Sequence, residues 1–388
     1  MTRRFIGFDD TYRVPVPVNV SRGVLCGPYF HLCGQLHMDG TGKAQDPGDL
    51  TAQTEGAMRR IYDVCGHAAV PGAAMAQLHA FYRNDGSVDE AAYAEALSRL
   101  VRDGAEPAVV LTPIDSFPVV GCEVEIDAIF ATDPERATGA VPGKAKARRH
   151  GDIVFAEATF SGPRMSPADQ AGAVLNDLLA ALDAAEAEPT DVCRLAVYLR
   201  DDLPPGDHAA LLDRLGQGFA APGPVFETML LSRLDRAGEA LRLEAVALRG
   251  TGSGRRPSRR LAQDNHWRWP SGGPWSQAIR SGEMVFVGAQ LPVDKRGALV
   301  AEGDLGAQTH AAMRHMQAAL STMDSGFPEV VKVNALFTGD WDQAAWGLNV
   351  GIRSDYYGKP GPASTGIIAP RLEIDGAMIQ AGCIAITD

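Results

Sequence analysis

The feature that most constrains this chain is an order of elements that runs through it three times. Near the C-terminus, Gly282-Glu-Met-Val-Phe-Val-Gly-Ala-Gln-Leu-Pro-Val-Asp294 alternates as a half-buried strand that ends in a turn. Residues 304–320 follow, with apolar side chains at helical spacing. A strand over 330–337, a turn at Gly339-Asp340 and a second helical stretch to about Tyr357 come next, and Gly358-Lys-Pro-Gly-Pro362 stops that helix. Strand-like segments over 365–372 and 378–386 complete the pattern. The start of the chain repeats it, with a strand and turn over 27–39, a helix from residue 50, a strand over 76–83 and a last strand over 124–130. Ala-Gln-Thr opens the helix both at 52–54 and at 307–309. The middle third carries a more diverged version over 151–159, 168–179, 193–202 and 241–247. Any α+β protein has strand–helix–strand stretches. A shared helix opening, a shared Gly/Gln turn approach and a recurrent last strand, all in one order, are specific to a repeat.

The boundaries follow from composition: a first repeat at 1–137, a second at 138–250, a linker at 251–264 and a third repeat at 265–388. The basic, glycine-containing residues 138–151 and the Gly/Ser/Arg run 250–260 read as connecting segments. A module of roughly 120 residues with a one-faced sheet must bury that face, and neighbouring copies can supply the partner.

With 388 residues, a net charge of -12 and a pI near 5.2, the chain has room for two or three cores and a surface that repels phosphate backbones. Nucleic acid is not an expected partner. The first ten residues lack the apolar run of a secretory signal, and no stretch reaches the roughly 18 apolar residues that span a bilayer. The six cysteines (Cys26, Cys33, Cys65, Cys122, Cys193 and Cys383) are scattered, which suits buried thiols and neither a zinc site nor a disulfide framework. The expectation is a cytoplasmic protein with no metal, no cofactor and no membrane partner.

The third repeat resembles the Rid (YjgF-type, reactive intermediate deaminase) family. Gly273-Pro-Trp-Ser-Gln-Ala-Ile279 is similar to the family's G-P-Y-S-Q-A-I opening, and Phe286-Val-Gly-Ala-Gln-Leu-Pro-Val293 to its F-V-S-G-Q-x-P-V. Asn349 stands where the family has N-x-x-Y, and Pro360-Gly-Pro-Ala-Ser364 precedes the last two strands. The resemblance implies an α+β fold of three chorismate-mutase-like modules, arranged as a pseudo-trimer around a central barrel. It also implies ligand clefts at the junctions of repeats. The chain would then be a monomeric pseudo-trimer with a small-molecule substrate, whether or not it associates further.

The family hydrolyses enamines and imines of the 2-aminoacrylate type and holds the substrate carboxylate with an arginine in a P-x-R context. Here Val109, Phe226 and Ser364 occupy that position, so the ordinary clamp is missing from every repeat. The family's last-strand acid, which orients the attacking water, corresponds to Asp127, Glu244 and Gly382. Asp127 and Glu244 are therefore the candidate catalytic bases. Arg83, Arg200 and Arg371 are candidate replacements for the clamp, against the alternative of solvated strand-end arginines. Gln35 and Gln290 beside the turn glycine, Ser364 and Thr365 as oxyanion donors, and Trp275 as a flat wall complete the candidate substrate-binding set. His31, His37 and His79 fall on or beside the first repeat's strands and read chiefly as core or interface residues.

These residues point to a hydrolase of an imine, enamine or amide-type C–N bond. The best site would be Glu244 beside an inward-turned Arg200, which would leave a base usable near neutral pH. The alternatives are a non-catalytic binding or structural protein, a chorismatase-like enzyme (through Ser364-Thr-Gly-Ile367), and a cyclic-imide hydrolase. The last needs a Ser–Lys dyad per repeat, which Lys43, Lys144, Lys146, Lys295, Lys332 and Lys359 fit poorly.

Overall fold

The long helices begin where a side chain can accept their first free backbone N–H groups. Asp49 accepts from Ala52 at the start of α1 (Leu50–Ala68), Ser166 from Asp169 at α3 (Pro167–Ala184), and Asp304 from Ala307 at α5 (Leu305–Thr322). The Ala-Gln-Thr opening has a second task. Gln53 Nε2 donates to the Gly121 carbonyl at 2.7 Å while its Oε1 accepts from Glu123 N at 2.8 Å. Gln308 makes the same pair of bonds to Gly376 and Met378, and Gln170 to Gly238 and Ala240. A buried amide thus ties each helix start to the loop that feeds a last strand, satisfying backbone groups that water cannot reach.

The computed structural model describes residues 2–10, 16–234, 238–263, 272–339 and 343–388. Asp340 of the expected turn and the expected boundary at residue 265 lie outside them. The first set of elements is β1 (Arg3–Ile6), β2 (Gly23–Cys26), β3 (Tyr29–Leu32), α1, β4 (Met75–Arg83), α2 (Glu90–Leu100), β5 (Ala108–Ile114) and β6 (Val124–Ala131). The second is β7 (Arg136–Val141), β8 (Ala145–His150), β9 (Ile153–Thr159), α3, β10 (Val192–Arg200), α4 (Pro205–Gly216), β11 (Val225–Leu231) and β12 (Leu241–Leu248). The third is β13 (Ser258–Ala262), β14 (Ser276–Ser281), β15 (Met284–Gln290), α5, β16 (Val330–Phe337), α6 (Gln343–Tyr356), β17 (Ala363–Ile368) and β18 (Ile379–Ile386).

Neighbouring strands run β1-β2-β3-β6-β4-β5 in the first set, and the other two sets follow the same order. The second and third sets join into one sheet of 12 strands through a parallel Val225–Ser276 pairing of β11 with β14. Among the described residues, a bridge from Ser21 to Ala363 pairs the first and third sets. Among the described residues the closed barrel expected from the resemblance is not found. The described strands form sheets of 6 and 12, and the first and second sets meet by packing of β5 on β8 and β9. The expected connecting segments also differ: 138–151 builds most of the β7–β8 hairpin, and the Arg-rich run contributes β13, paired with β14. Alternation makes each a workable edge strand despite its charge.

Each set packs one sheet face on its own helices. The other faces meet in a core that draws Phe155 and Val246 from the second set, Phe286 and Ile384 from the third and Val24 and Ile129 from the first. Fully burying side chains of this size contributes about 2 kcal/mol apiece. No described helix is long and apolar enough to cross a membrane.

Candidate active site

Strand alternation decides which side chains face the centre. On β6, Val124, Ile126, Ala128 and Phe130 pack toward the first set's helices, which leaves Glu125, Asp127 and Ile129 on the inner face. Asp127, Glu244 and Gly382 hold the same register position, opposite His79, Ala196 and Asn334 of the middle strands. All three line one buried central cavity of about 60 Å³, several times what a water needs. A side chain at Gly382 would press on the Val287 carbonyl at 3.0 Å, so the third set keeps no acid there.

The two carboxylates have different surroundings. Glu244 is 2% exposed and committed at both oxygens. Oε1 accepts from Gln77 at 3.1 Å and from Arg194; Oε2 accepts from Tyr198 at 2.5 Å and lies 3.6 Å from His79 Nδ1. Arg194 also pairs with Glu227. Burial pushes the Glu244 carboxyl up, but Arg194, His79 and the Tyr198 hydrogen bond outweigh it and hold the group down at about 2. Burial raises the Glu227 carboxyl and lowers the His79 imidazole.

Asp127 uses one oxygen. Lys332 Nζ donates to Oδ2 at 2.8 Å, to the Leu32 carbonyl at 2.7 Å and to Thr365 Oγ1 at 2.6 Å, and the Thr365 hydroxyl donates to the same Oδ2 at 2.8 Å. Oδ1 has no hydrogen-bond partner among the described residues. A carboxylate fixed at one oxygen by an ammonium and a hydroxyl, and open at the other, can take a proton from water.

Of the other candidates, Thr365 alone joins this cluster. The inward Arg200 is not observed: its Nε donates to Asp202 at 2.9 Å at the surface end of β10, where hydration costs nothing. Arg83 is half exposed and 3.3 Å from Glu123, and Arg371 donates to the Asp201 carbonyl at 2.9 Å. None of the three lines the cavity. Gln35 donates to the Cys33 carbonyl at 3.1 Å and Gln290 to the Gly288 carbonyl at 2.9 Å, both turn-closing bonds. Trp275 stacks on Phe226 with ring centroids 4.1 Å apart, a flat wall that fills the junction of the second and third sets and is packed away from the cavity. Ser364 sits on the opposite face of β17 from Thr365 and accepts from Arg353 at 3.3 Å. His31 is buried in the core, His37 pairs with Asp46 at 3.2 Å, and His79 stacks on Phe81 at the cavity wall.

Sequence reasoning passed over Gln77, Arg194, Lys332, Tyr198, Glu227, Glu125 and Arg353. A signal for three of them was present. Gln77, Arg194 and Lys332 are polar residues between apolar neighbours, at one position of each repeated middle strand.

The family model described as Endoribonuclease L-PSP matches residues 268–386. A RutC family protein of Pyrococcus abyssi is 32% identical over 113 residues, which cover 29% of this chain and 86% of that protein. The mitochondrial protein mmf1 of Schizosaccharomyces pombe is 30% identical over 116 residues, covering 30% of this chain and 70% of that protein. A solved chorismatase superposes with a TM-score of 0.59 over 80% of this chain and 93% of its own, at 11% identity, a likeness of fold.

Proposed function

Because the chain belongs to the Rid/YjgF (L-PSP) family through its C-terminal third, we propose that it is a Rid-like hydrolase of an imine, enamine or amide-type C–N bond of a small metabolite. In this reading it comprises three tandem Rid-like modules set as a pseudo-trimer in one chain. The recurring strand order, the recurring helix-to-loop glutamine and the shared central core support that arrangement.

One observation carries the catalytic assignment: Asp127 keeps Oδ1 uncommitted at the cavity, whereas Glu244 has no free oxygen. Water would lose a proton to Asp127 as it adds to the C=N carbon. Thr365 and Lys332 hold the carboxylate in place, Asp127 returns the proton to the nitrogen, and the carbinolamine then collapses to a carbonyl and ammonia. Asp127, Glu227 and Glu244 stand against Arg194 and Lys332, and that balance favours a neutral or iminium-like reacting group.

A test is ammonia release from a panel of imines, enamines and cyclic amides, comparing the native chain with Asp127→Asn. Turnover by the native chain that falls about a hundredfold or more in the variant is expected. Undiminished turnover, or none on any C–N substrate, would refute the reading. The chorismatase superposition favours a second reading, a chorismatase-like reaction in the same single-chain architecture. Chorismate carries two carboxylates, while both cations of the central cavity are already paired. Consumption of chorismate by the native chain would decide for the second reading.

A further inference from the structure

The network around Glu244 uses only half of Glu227. Arg194 Nε donates to Glu227 Oε1, and Oε2 has no hydrogen-bond partner among the described residues. That second oxygen looks across to the third set, where a side chain built at Gly382 would meet it at 3.3 Å. The glycine therefore leaves room in front of it in the central cavity. Burial raises the Glu227 carboxyl, with Arg194 opposing and Glu244 adding to the rise, as expected of an acid short of positive charge.

Strand register sets a neutral group between this oxygen and Asp127. Asn334 on β16 stands opposite Gly382 of β18 on one side and Thr365 of β17 on the other, and Thr365 in turn donates to Asp127. Neighbouring strands lie about 4.8 Å apart, so one small ligand can touch all of these positions. The Asn334 side-chain amide lines the cavity and has no hydrogen-bond partner among the described residues. Gln380, on the same face of β18 as Gly382, is 2% exposed. Its Nε2 donates to the Thr228 carbonyl at 2.7 Å, which fixes the amide and leaves Oε1 on the cavity wall without a partner. Asp127, Glu227 and Glu244 line this cavity against Arg194 and Lys332, both already paired. What the wall lacks is N–H donors and positive charge.

We propose that the central cavity selects a small amidinium, a planar cation with two N–H-bearing nitrogens on one carbon, as the ligand and substrate of the Asp127 site. Glu227 Oε2 holds one nitrogen through a charge-assisted hydrogen bond and Asn334 Oδ1 holds the other, with the carbon toward Asp127. Water adds to that carbon and gives its proton to Asp127, which passes it to a nitrogen. The C–N bond then breaks, ammonia takes the hydroxyl proton and leaves as ammonium, and an amide remains. A substrate that carries a carboxylate is rejected, because both cations of the cavity are spent on its own acids. The chemical step rests on the base assigned to Asp127; the binding does not.

The experiment is a thermal-shift series on the full chain with acetamidinium, its neutral counterpart acetamide, and tetramethylammonium, a cation without N–H, each on the order of tens of millimolar at matched chloride. Acetamidinium is expected to raise the Tm, and the other two to leave it unmoved. Glu227→Gln, in which Arg194 keeps Glu244, is expected to fold and to weaken acetamidinium about tenfold or more in calorimetric titration, and Asn334→Ala to weaken it about tenfold. The native chain is expected to release ammonia from acetamidine, and Asp127→Asn to lose that turnover while still binding. An equal response to acetamide or tetramethylammonium, no response to acetamidinium, or an unchanged titration in either variant would overturn the proposal. Turnover of imines by a chain that neither binds nor hydrolyses acetamidine would overturn it alone and leave the Asp127 reading standing. Acetamidinium binding that falls in Glu227→Gln, with no turnover of any C–N substrate, would uphold the cation site and refute the base.

Discussion

Where the first set meets the second, Glu244 is gripped by Gln77, Arg194, Tyr198 and His79, and Arg194 reaches on to Glu227. Where the first set meets the third, Asp127 is held at one oxygen, and Glu125 and Arg353 face a cavity with no partners of opposite charge. Both acids stand at the same register position of equivalent last strands, β12 and β6. The first closes its charges on one another; the second leaves an acid oxygen, a carboxyl and a guanidinium open. A network that satisfies every group specifies structure, whereas one that leaves groups unmet is ready for a ligand. The acid with more partners is the worse base, because each donor that stabilises the carboxylate lowers its proton affinity.

The sharpest way to break this contrast is kinetic. Asp127→Asn should lower kcat by about 10² to 10⁴ while Glu244→Gln stays within about threefold, measured as ammonia release with circular dichroism to confirm folding. The reverse order would exchange the roles of the two junctions.

Stability should differ in the opposite sense. Arg194→Met strands Glu227 and Glu244 in the interior and should cost about 3–5 kcal/mol in urea unfolding. Arg353→Met removes an unpaired cation and should cost little or nothing. Equal losses would mean that Arg353 is a structural anchor.

The two junctions should also carry opposite pH signatures. Glu244, held at about 2 against an ordinary 4.5, contributes stability that is present above pH 4.5 and lost as pH falls toward 2, on the order of 3 kcal/mol. Glu125, raised to about 8, binds its proton more tightly folded than unfolded, so stability falls as pH rises from 4.5 to 8. Glu244→Gln should flatten the acid limb alone, and Glu125→Gln the limb between pH 4.5 and 8 alone. Unfolding free energies measured across that range would expose either assignment as wrong.

The smallest effect belongs to Arg200, which stands outside both junctions. Arg200→Ala should change stability by under about 0.5 kcal/mol and turnover by less than twofold, as expected of a surface pair with Asp202. A large loss of turnover would restore it to the site.

The inward placement of Asp127, Glu244 and Thr365 was legible in the sequence because last-strand and edge-strand positions recur with the repeat and alternation fixes the side they face. Arg83, Arg200 and Arg371, offered as clamps against the alternative of solvated strand-end arginines, lie away from the cavity for a related reason. Each lies at or just beyond a strand end, where alternation no longer dictates direction and a long side chain can reach solvent. Lys332 was discounted because a Ser–Lys dyad was sought, when its partners are a threonine of β17 and an aspartate from a strand more than 200 residues earlier in the chain.

By itself the sequence determined the repeating element order, the helix starts near residues 50 and 304, and the alignment of Asp127 with Glu244 and Gly382. These are local or periodic properties, set by capping, 3.6- and 2-residue spacing and the identity of single residues. Only the tertiary structure decided which acid is free, that Arg353 and not a strand arginine lies unpaired beside Ser364, and that Phe226 and Trp275 fill the remaining junction. Those outcomes depend on contacts between residues remote in the chain, where burial and the nearest opposite charge set the protonation and availability of each group.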